Sequence, residues 1–542
     1  MSQTPPDKQQ AQQQAQQPPP SILKSAAAMS AATFLSRVLG MVRDMVMAMN
    51  FPPIVTDAFV VAFRLPNLFR RILGEGSLSA SFIPLYVEAS QKDAAQTATN
   101  TTQDAKIFAS QILSMLLALT TTLTVLGIIF MPQIISSWVS GDAYASVQGK
   151  VELTIWLARI MFVYFFLVMT YAYLMALANA HHAFFWAGLA PAGFNLTVII
   201  AAFLPHYKLP GDQLAVGVVV AGVVQLLFTL WPLFKLKKIP GLTWQWWGPG
   251  TQKFFKILLP SMLGMSVGQL LGILNVNFTS RLGQGSHSFI YFADRLLEFP
   301  QALMSVSLGV ALLPTLSGLW ARGENNKFLE TVQRHVRLLM VLMLPAAVGL
   351  YVLAEPIVRV LFGRGQFTEA AISATAMVTQ IYAVVLVVTG LHRVTVPAFY
   401  AIKNTWLPAA NAAVCLVVHY FVASWAVDHH GLAGLVWATA FTGALNLALL
   451  LISFRIIFGS LGVWDFLRST LWLVPAVVAM GYATPIIYHL AHVYWGATPA
   501  LVATLPVAGA IYFIVAWATR HPEAKDVAAM LKRRLKVPPQ KS

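Results

Sequence analysis

From Ile112 to Met131, and again from Leu432 to Ile452, the chain runs for some twenty residues without a charged side chain. An α-helix needs about 20 mostly apolar residues to cross the hydrocarbon core of a bilayer. A spanning β-barrel would instead show alternating segments of about 10 residues. Composition agrees with the helical solution: the 542 residues are 57% hydrophobic and 10% charged, whereas a water-soluble domain carries about 25% charged residues. The sequence therefore predicts an all-α polytopic membrane protein.

About fourteen transmembrane helices are expected. The first covers 25–50, the second 55–73, the eighth 287–320, and the eleventh and twelfth 407–427 and 431–457. An internal repeat organises them. Arg64-Leu65 is followed by Phe82-Ile83-Pro84-Leu85, and Arg295-Leu296 by Leu312-Leu313-Pro314-Thr315, at offsets of 231 and 230. Met131-Pro132-Gln133-Ile134 and Glu355-Pro356-Ile357-Val358 repeat at an offset of 224. Two six-helix lobes follow, an N-terminal lobe at 22–240 and a C-terminal lobe at 253–458, with two further helices at 468–519. Each lobe holds an even number of spans. The repeat is therefore parallel, related by a pseudo-two-fold axis along the membrane normal, with a substrate site expected between the halves.

Lysine and arginine set the expected orientation. With the N-terminus inside, the inner loops and tails receive 25 of the 36 basic residues and the outer loops five. Both termini are thus expected in the cytoplasm. The net charge of +16 is read as attraction to an anionic leaflet, with membrane lipids as partners and no nucleic acid. Residues 1–21, rich in Gln and Pro, are expected to be a disordered polar tail rather than a cleavable signal, and 520–542 a basic cytoplasmic tail. The single cysteine, Cys415, excludes an intrachain disulfide or a thiolate metal cluster. The twelve histidines show no metal-ligand spacing, and no metal ligand is assigned.

The chemistry lies in charges buried inside apolar helices, where each costs at least ~2.5–3.5 kcal/mol at the bilayer centre. The first span carries Ser36-Arg37-Val38-Leu39-Gly40-Met41-Val42-Arg43-Asp44. Arg37 and Asp44 share a helix face, and Gly40 between them permits close approach. In the second span Asp57, Arg64 and Arg71 fall at intervals of seven, with Asn67 beside Arg64, Arg70 at the inner end, and Pro66 permitting a kink. The eighth span holds Asp294, Arg295 and Glu298, so a cation, a proton or Arg295 is expected between the two carboxylates. Ion pairing between helices accounts for any one of these residues. As a set, six arginines outnumber four acids, and guanidinium groups grip phosphate with a planar fork of donors. A pyrophosphate is the natural guest. Arg159 and Arg393 are read as structural or snorkelling residues.

At these positions the sequence resembles the MurJ/MviN family. The matching segments are Ser36–Gly40 with Arg43-Asp44, Thr56-Asp57-Ala58-Phe59, Leu65-Pro66-Asn67-Leu68-Phe69-Arg70-Arg71, Glu75-Gly76 and Ser81-Phe82-Ile83-Pro84. Further along they are Ala293-Asp294-Arg295-Leu296-Leu297-Glu298-Phe299-Pro300, Leu312-Leu313-Pro314 and Pro397-Ala398-Phe399-Tyr400. The likeness runs collinearly over about 22–520. It implies a fold of the multidrug/oligosaccharidyl-lipid/polysaccharide exporter superfamily with a central cavity that opens alternately to either side. It implies a flippase of the inner membrane, required for cell-wall synthesis, acting on lipid II, the undecaprenyl-diphosphate-linked disaccharide peptide. Arg37, Arg43 and Arg295 would then contact the diphosphate, with Arg70 and Arg64 contributing. Asp44 would organise the arginines, and Asp57, Asp294, Glu298, Asn67 and Gly40 would support them. Position 64 is Arg where the family also uses Lys. Membrane potential, sodium and proton remain open as driving forces, no cofactor is expected, and the cell-wall synthesis machinery is a possible partner.

The alternatives are a flippase for another polyprenyl-diphosphate glycolipid, or a drug/cation antiporter on the same fold, which would need an acidic cavity. A membrane enzyme would need a carboxylate cluster in a loop, but Asp142, Glu324 and Glu369 are scattered; the chain is not expected to be an enzyme. A scaffold protein would leave the intramembrane arginines unexplained. No Gly-x-x-x-x-Gly-Lys-Ser/Thr loop occurs, which argues against an ATP-driven pump.

Overall fold

The computed structural model describes residues 20–96, 104–459 and 462–519. The expected tails, at 1–19 and 520–542, lie outside these residues. Among the described residues there is no strand. Seventeen α-helices run in order: α1 Pro20–Asn50, α2 Pro53–Phe69, α3 Leu78–Gln96, α4 Asp104–Ile129, α5 Met131–Trp138, α6 Asp142–Ala145, α7 Lys150–Ala180, α8 Phe184–Ala201 and α9 Asp212–Lys235. There follow α10 Pro249–Ser280, α11 Ser286–Ala321, α12 Asn325–Val352, α13 Ala354–Phe362, α14 Glu369–Ala401, α15 Trp406–Phe458, α16 Val463–Trp495 and α17 Ala497–Ala518. Between α2 and α3 the chain winds as a π-helix, Arg70–Ser77.

Nine helices among the described residues are long and apolar enough to cross a membrane. One of them, α15, has 53 residues and would be about 80 Å long if straight, far more than a bilayer needs. It is broken at Gly431, whose φ of 57° and ψ of −134° are non-helical. The break falls at the first residue of the expected twelfth span. The protein is thus a multi-pass, all-helical membrane protein.

Several helix ends explain themselves. α11 stops at a Schellman turn, in which Gly323 N–H donates to Trp320 O and Glu324 N–H to Leu319 O, with Gly323 at φ 71°. α7, α9 and α14 stop with the same pair of bonds, but their left-handed residue is His182, Lys237 or Lys403 instead of glycine. Among the described residues these three are the non-glycine residues of positive φ. A basic side chain there favours the negative end of the helix dipole, at a backbone cost that glycine would avoid.

The chain divides into two compact units. The first comprises Met1–Met47, Ala62–Gln133 and Glu152–Met262; the second comprises Ala48–Val61, Ile134–Val151 and Leu263–Ser542. Segments 48–61 and 134–151, though early in sequence, thus group with the later helices. Within the second unit, Trp138 Nε1–H donates to Ile273 O at 3.0 Å and Gln366 N–H to Met49 O at 2.9 Å.

Candidate functional site

In the first unit, the first-span motif is held by hydrogen bonds from its charged residues. Arg43 Nε and Nη2 donate to Asp44 Oδ1 at 3.0 and 2.7 Å, and Nη1 donates to Asn195 Oδ1 at 3.0 Å. Arg43 and Asp44 are both buried. Asn195, on α8, turns its amide nitrogen to Ser36 O at 2.8 Å, and a Cβ on Gly40 would meet that amide at 3.4 Å. A Cβ there would thus sit in ordinary contact with Asn195, which fixes the guanidinium from the other side. Arg37, two turns from Asp44, is exposed, and among the described residues its side chain has no hydrogen-bond or ion-pair partner.

Arg64, Arg70 and Arg71 are half-buried. Arg70 Nε donates to Asn67 Oδ1 at 2.8 Å, so Asn67 positions Arg70 at the point where α2 gives way to the π-helix. Pro66 inside α2 cannot donate to the carbonyl four residues before it. The wider turn continues to Ser77, whose hydroxyl donates to Ile72 O, five residues back, at 3.0 Å. π-Turns often occur where function needs a side chain redirected. The proline inside α2 was legible in sequence; the π-helix was not.

In the second unit, Asp57 is fully buried. Its Oδ2 accepts from Lys150 Nζ at 2.7 Å and Gly285 N–H at 2.7 Å. Its Oδ1 accepts from Ser288 N–H at 2.9 Å and the Ser288 hydroxyl at 2.7 Å. The carboxylate thus serves the N-terminus of α11, where free N–H groups favour an anion. Lys150 lies over the Tyr144 ring, 4.1 Å from its centroid. Asp57 makes these bonds rather than bonds to Arg64 or Arg71, the residues with which the heptad spacing grouped it.

Further along α11, Arg295 Nη1 donates to Glu298 Oε2 at 2.7 Å and Nη2 to the Tyr291 hydroxyl at 3.2 Å. The guanidinium stands over the Tyr291 ring at 5.0 Å. Asp294 is half-buried and Glu298 exposed. Arg295, one of the partners anticipated for the carboxylates, is bonded to Glu298. Arg393 donates to Gln301 Oε1 at 3.1 Å, and Arg159 Nε to Ile128 O at 3.2 Å; both arginines are exposed. Among the described residues no three His, Cys, Asp or Glu side chains are gathered as a metal site would need.

Residues 51–504 match the family model described as lipid II flippase MurJ. The chain belongs to this family. One relative from Bdellovibrio bacteriovorus, named a probable lipid II flippase MurJ, is 40% identical over 78% of this chain and 80% of its own length. Another, from Vibrio cholerae and named likewise, is 32% identical over 84% of this chain and 86% of its own. The fold is similar to that of a MurJ lipid II flippase in an inward closed conformation, with a TM-score of 0.74, 22% identity, and coverage of 92% of this chain and 99% of that one. It also resembles an inward-facing multidrug transporter of the MATE family, at a TM-score of 0.63 and 16% identity over 80% of this chain and 98% of that one.

Within this family framework, the sequence missed Lys150, Asn195, Ser288 and Tyr291. Asn195 did carry a signal, an amide in an otherwise apolar span. Lys150 was counted only among the outer loop charges.

Proposed function

We propose that this protein flips lipid II from the cytoplasmic to the periplasmic leaflet of the bacterial inner membrane by alternating access. The observation that carries the reading is its membership of a family whose curated relatives are named lipid II flippases, together with arginines set within apolar helices, of which Arg64, Arg70 and Arg295 fall inside the matched residues 51–504. Arg37, Arg43, Arg64, Arg70 and Arg295 receive the diphosphate. Asp44 and Asn195 hold Arg43 in a fixed plane, as bidentate recognition of a phosphate requires. Arg37 offers its donors at the surface. Asn67 aims Arg70; Asp294, Glu298 and Gly40 shape the surroundings of the arginines, and Asp57 ties α2 to the start of α11.

In this reading fourteen helices cross the membrane as two six-helix lobes plus a final pair, with both termini cytoplasmic. The protein acts as a carrier, without chemical conversion of its substrate. Binding the diphosphate neutralises the arginines and allows the lobes to exchange access. The membrane potential can bias any step that moves an arginine, at ~2.3 kcal/mol per unit charge per 100 mV. A cation antiporter on the same fold would want acidic residues where these arginines stand.

The test is replacement of the resident flippase in a depleted bacterium. The wild-type chain restores growth, and Arg37→Ala, Arg43→Ala and Arg295→Ala, at equal membrane levels, do not. Equal rescue by all three would end the diphosphate assignment, and failure of the wild type would end the flippase reading.

A further inference from the structure

The connection between α9 and α10 has no part in flipping as proposed, yet it is built with care. α9 ends in a Schellman turn in which Lys237 takes the left-handed position, φ 53°, that glycine usually fills. The turn displays Lys235, Lys237 and Lys238, all exposed. Lys253 and Lys256 follow on the first turns of α10, also exposed. No acidic residue occurs between Asp212 and Asp294, so the region's positive charge has no local counterpart in sequence. Burial first, then Lys238 and His182, hold the neighbouring His181 below its usual pKa, which leaves the charge here to the lysines.

Residues 236–248 then run as a non-helical strap along α4. Thr243 N–H donates to Ser114 Oγ at 2.8 Å. A Cβ on Gly248 would meet Gln111 at 3.3 Å, and one on Gly241 would meet Ser110 at 4.0 Å. Ser110 and Ser114 lie six and ten residues into α4, about 9–15 Å along its axis. The strap therefore lies beside the helix wall and not beyond its end. Local bonds stiffen it: Trp246 Nε1–H donates to Thr243 O at 2.9 Å, Gln245 N–H to Thr243 Oγ1 at 3.1 Å, and Gly248 N–H to Thr251 Oγ1 at 2.7 Å.

This pinned backbone turns its apolar side chains outward. Trp244 is 92% exposed, Leu242 76% and Trp247 65%. A strap free to fold these rings inward would do so in water. Trp beside Lys, with the ring in the acyl boundary and the ammonium among phosphates, is the arrangement favoured at a membrane interface. Lys235 and Trp231 are such neighbours, with Nζ over the ring at 4.8 Å from its centroid.

We propose that the strap and its flanking lysines form a docking site for anionic phospholipid headgroups. Lys235, Lys237 and Lys238 take the phosphates, and Trp244, Leu242 and Trp247 insert beneath them. The site shares no residue with the diphosphate arginines and holds whether or not the protein flips lipid II.

The test is hydrogen exchange at 236–248 in the full-length protein, in nanodiscs of phosphatidylcholine alone and of equal phosphatidylcholine and phosphatidylglycerol. Each interfacial lysine contributes roughly fivefold to binding an anionic surface. Wild-type exchange in the strap is expected to slow by roughly tenfold or more in the anionic discs. Lys237→Gly with Lys238→Gln, which keeps the turn, removes that contrast. Trp244→Ser with Trp247→Ser speeds exchange in both lipids. Equal wild-type exchange in the two discs, or a contrast undiminished in the lysine variant, would overturn the proposal. So would tryptophan variants that exchange as the wild type does.

Discussion

Lys150 Nζ donates to Asp57 Oδ2 at 2.7 Å across 93 positions of sequence, and neither side chain reaches the protein surface. Asp57 also accepts from Gly285 N–H, Ser288 N–H and the Ser288 hydroxyl. One carboxylate thereby joins the start of α2, the start of α7 and the N-terminus of α11. Removing one member of a buried pair strands the other, at a cost of about 3–5 kcal/mol. Lys150→Met and Asp57→Asn should each lower the thermal unfolding midpoint of the purified protein. The double variant should lose clearly less than the sum of the two, and additive losses would mean the pair is not coupled.

Asn195 should matter to transport although it carries no charge. It accepts from Arg43 at 3.0 Å, and a hydrogen bond to a charged group is worth about 1.5–3 kcal/mol. Asn195→Ala should therefore slow lipid II translocation by roughly 10- to 100-fold if the fixed plane of Arg43 is what grips the diphosphate. Arg43→Lys, which keeps the charge but loses the fork, should be impaired as well. Full activity of Arg43→Lys in a reconstituted assay would show that charge alone suffices.

The left-handed helix ends make a stability prediction with the opposite sign. Lys237 and Lys403 hold φ values of 53° and 61° that cost a non-glycine residue about 1 kcal/mol or more. Glycine at either place should stabilise the fold by up to about 1 kcal/mol, less whatever the lysine gains from the helix dipole, and so raise the unfolding midpoint. Thermal melts of the two variants in neutral detergent check this; a lower midpoint in both would mean that the lysine side chains hold these ends.

Much of this architecture could be read from the chain. Uninterrupted apolar runs mark helices because lipid offers the backbone no partners, and the break at Gly431 coincides with the expected start of the twelfth span. Arg43 and Asp44 stood out because charge in an apolar helix needs a reason. The partner of Asp57 did not stand out. Lys150 is 93 residues away, at the head of α7, where it looked like one more loop cation, and helical spacing pointed to Arg64 and Arg71 instead. Periodicity describes a single helix, whereas a carboxylate is satisfied by whatever the fold brings to it. The π-helix at Arg70–Ser77 was hidden for a similar reason, since its sequence has no signature apart from the nearby proline.

Close approach in the second unit supplies a further check. A Cβ on Gly141 would lie 2.4 Å from the backbone of Ser280 and Arg281, which cannot retreat as a side chain tip can. Gly141→Ala should cost about 1–3 kcal/mol by overpacking. Gly283, where a Cβ would meet nothing within 4 Å, is the matched control and should tolerate alanine. Equal stability of the two variants would contradict the packing described.

The most direct measurement of the diphosphate assignment is lipid II translocation in proteoliposomes carrying the wild type, Arg37→Ala, Arg43→Ala or Arg295→Ala, each shown to be folded. The wild type should translocate the lipid, and each variant should be slower by roughly tenfold or more, given the strength of charge-assisted bonds to phosphate. Wild-type rates in all three variants would contradict the role assigned to these arginines.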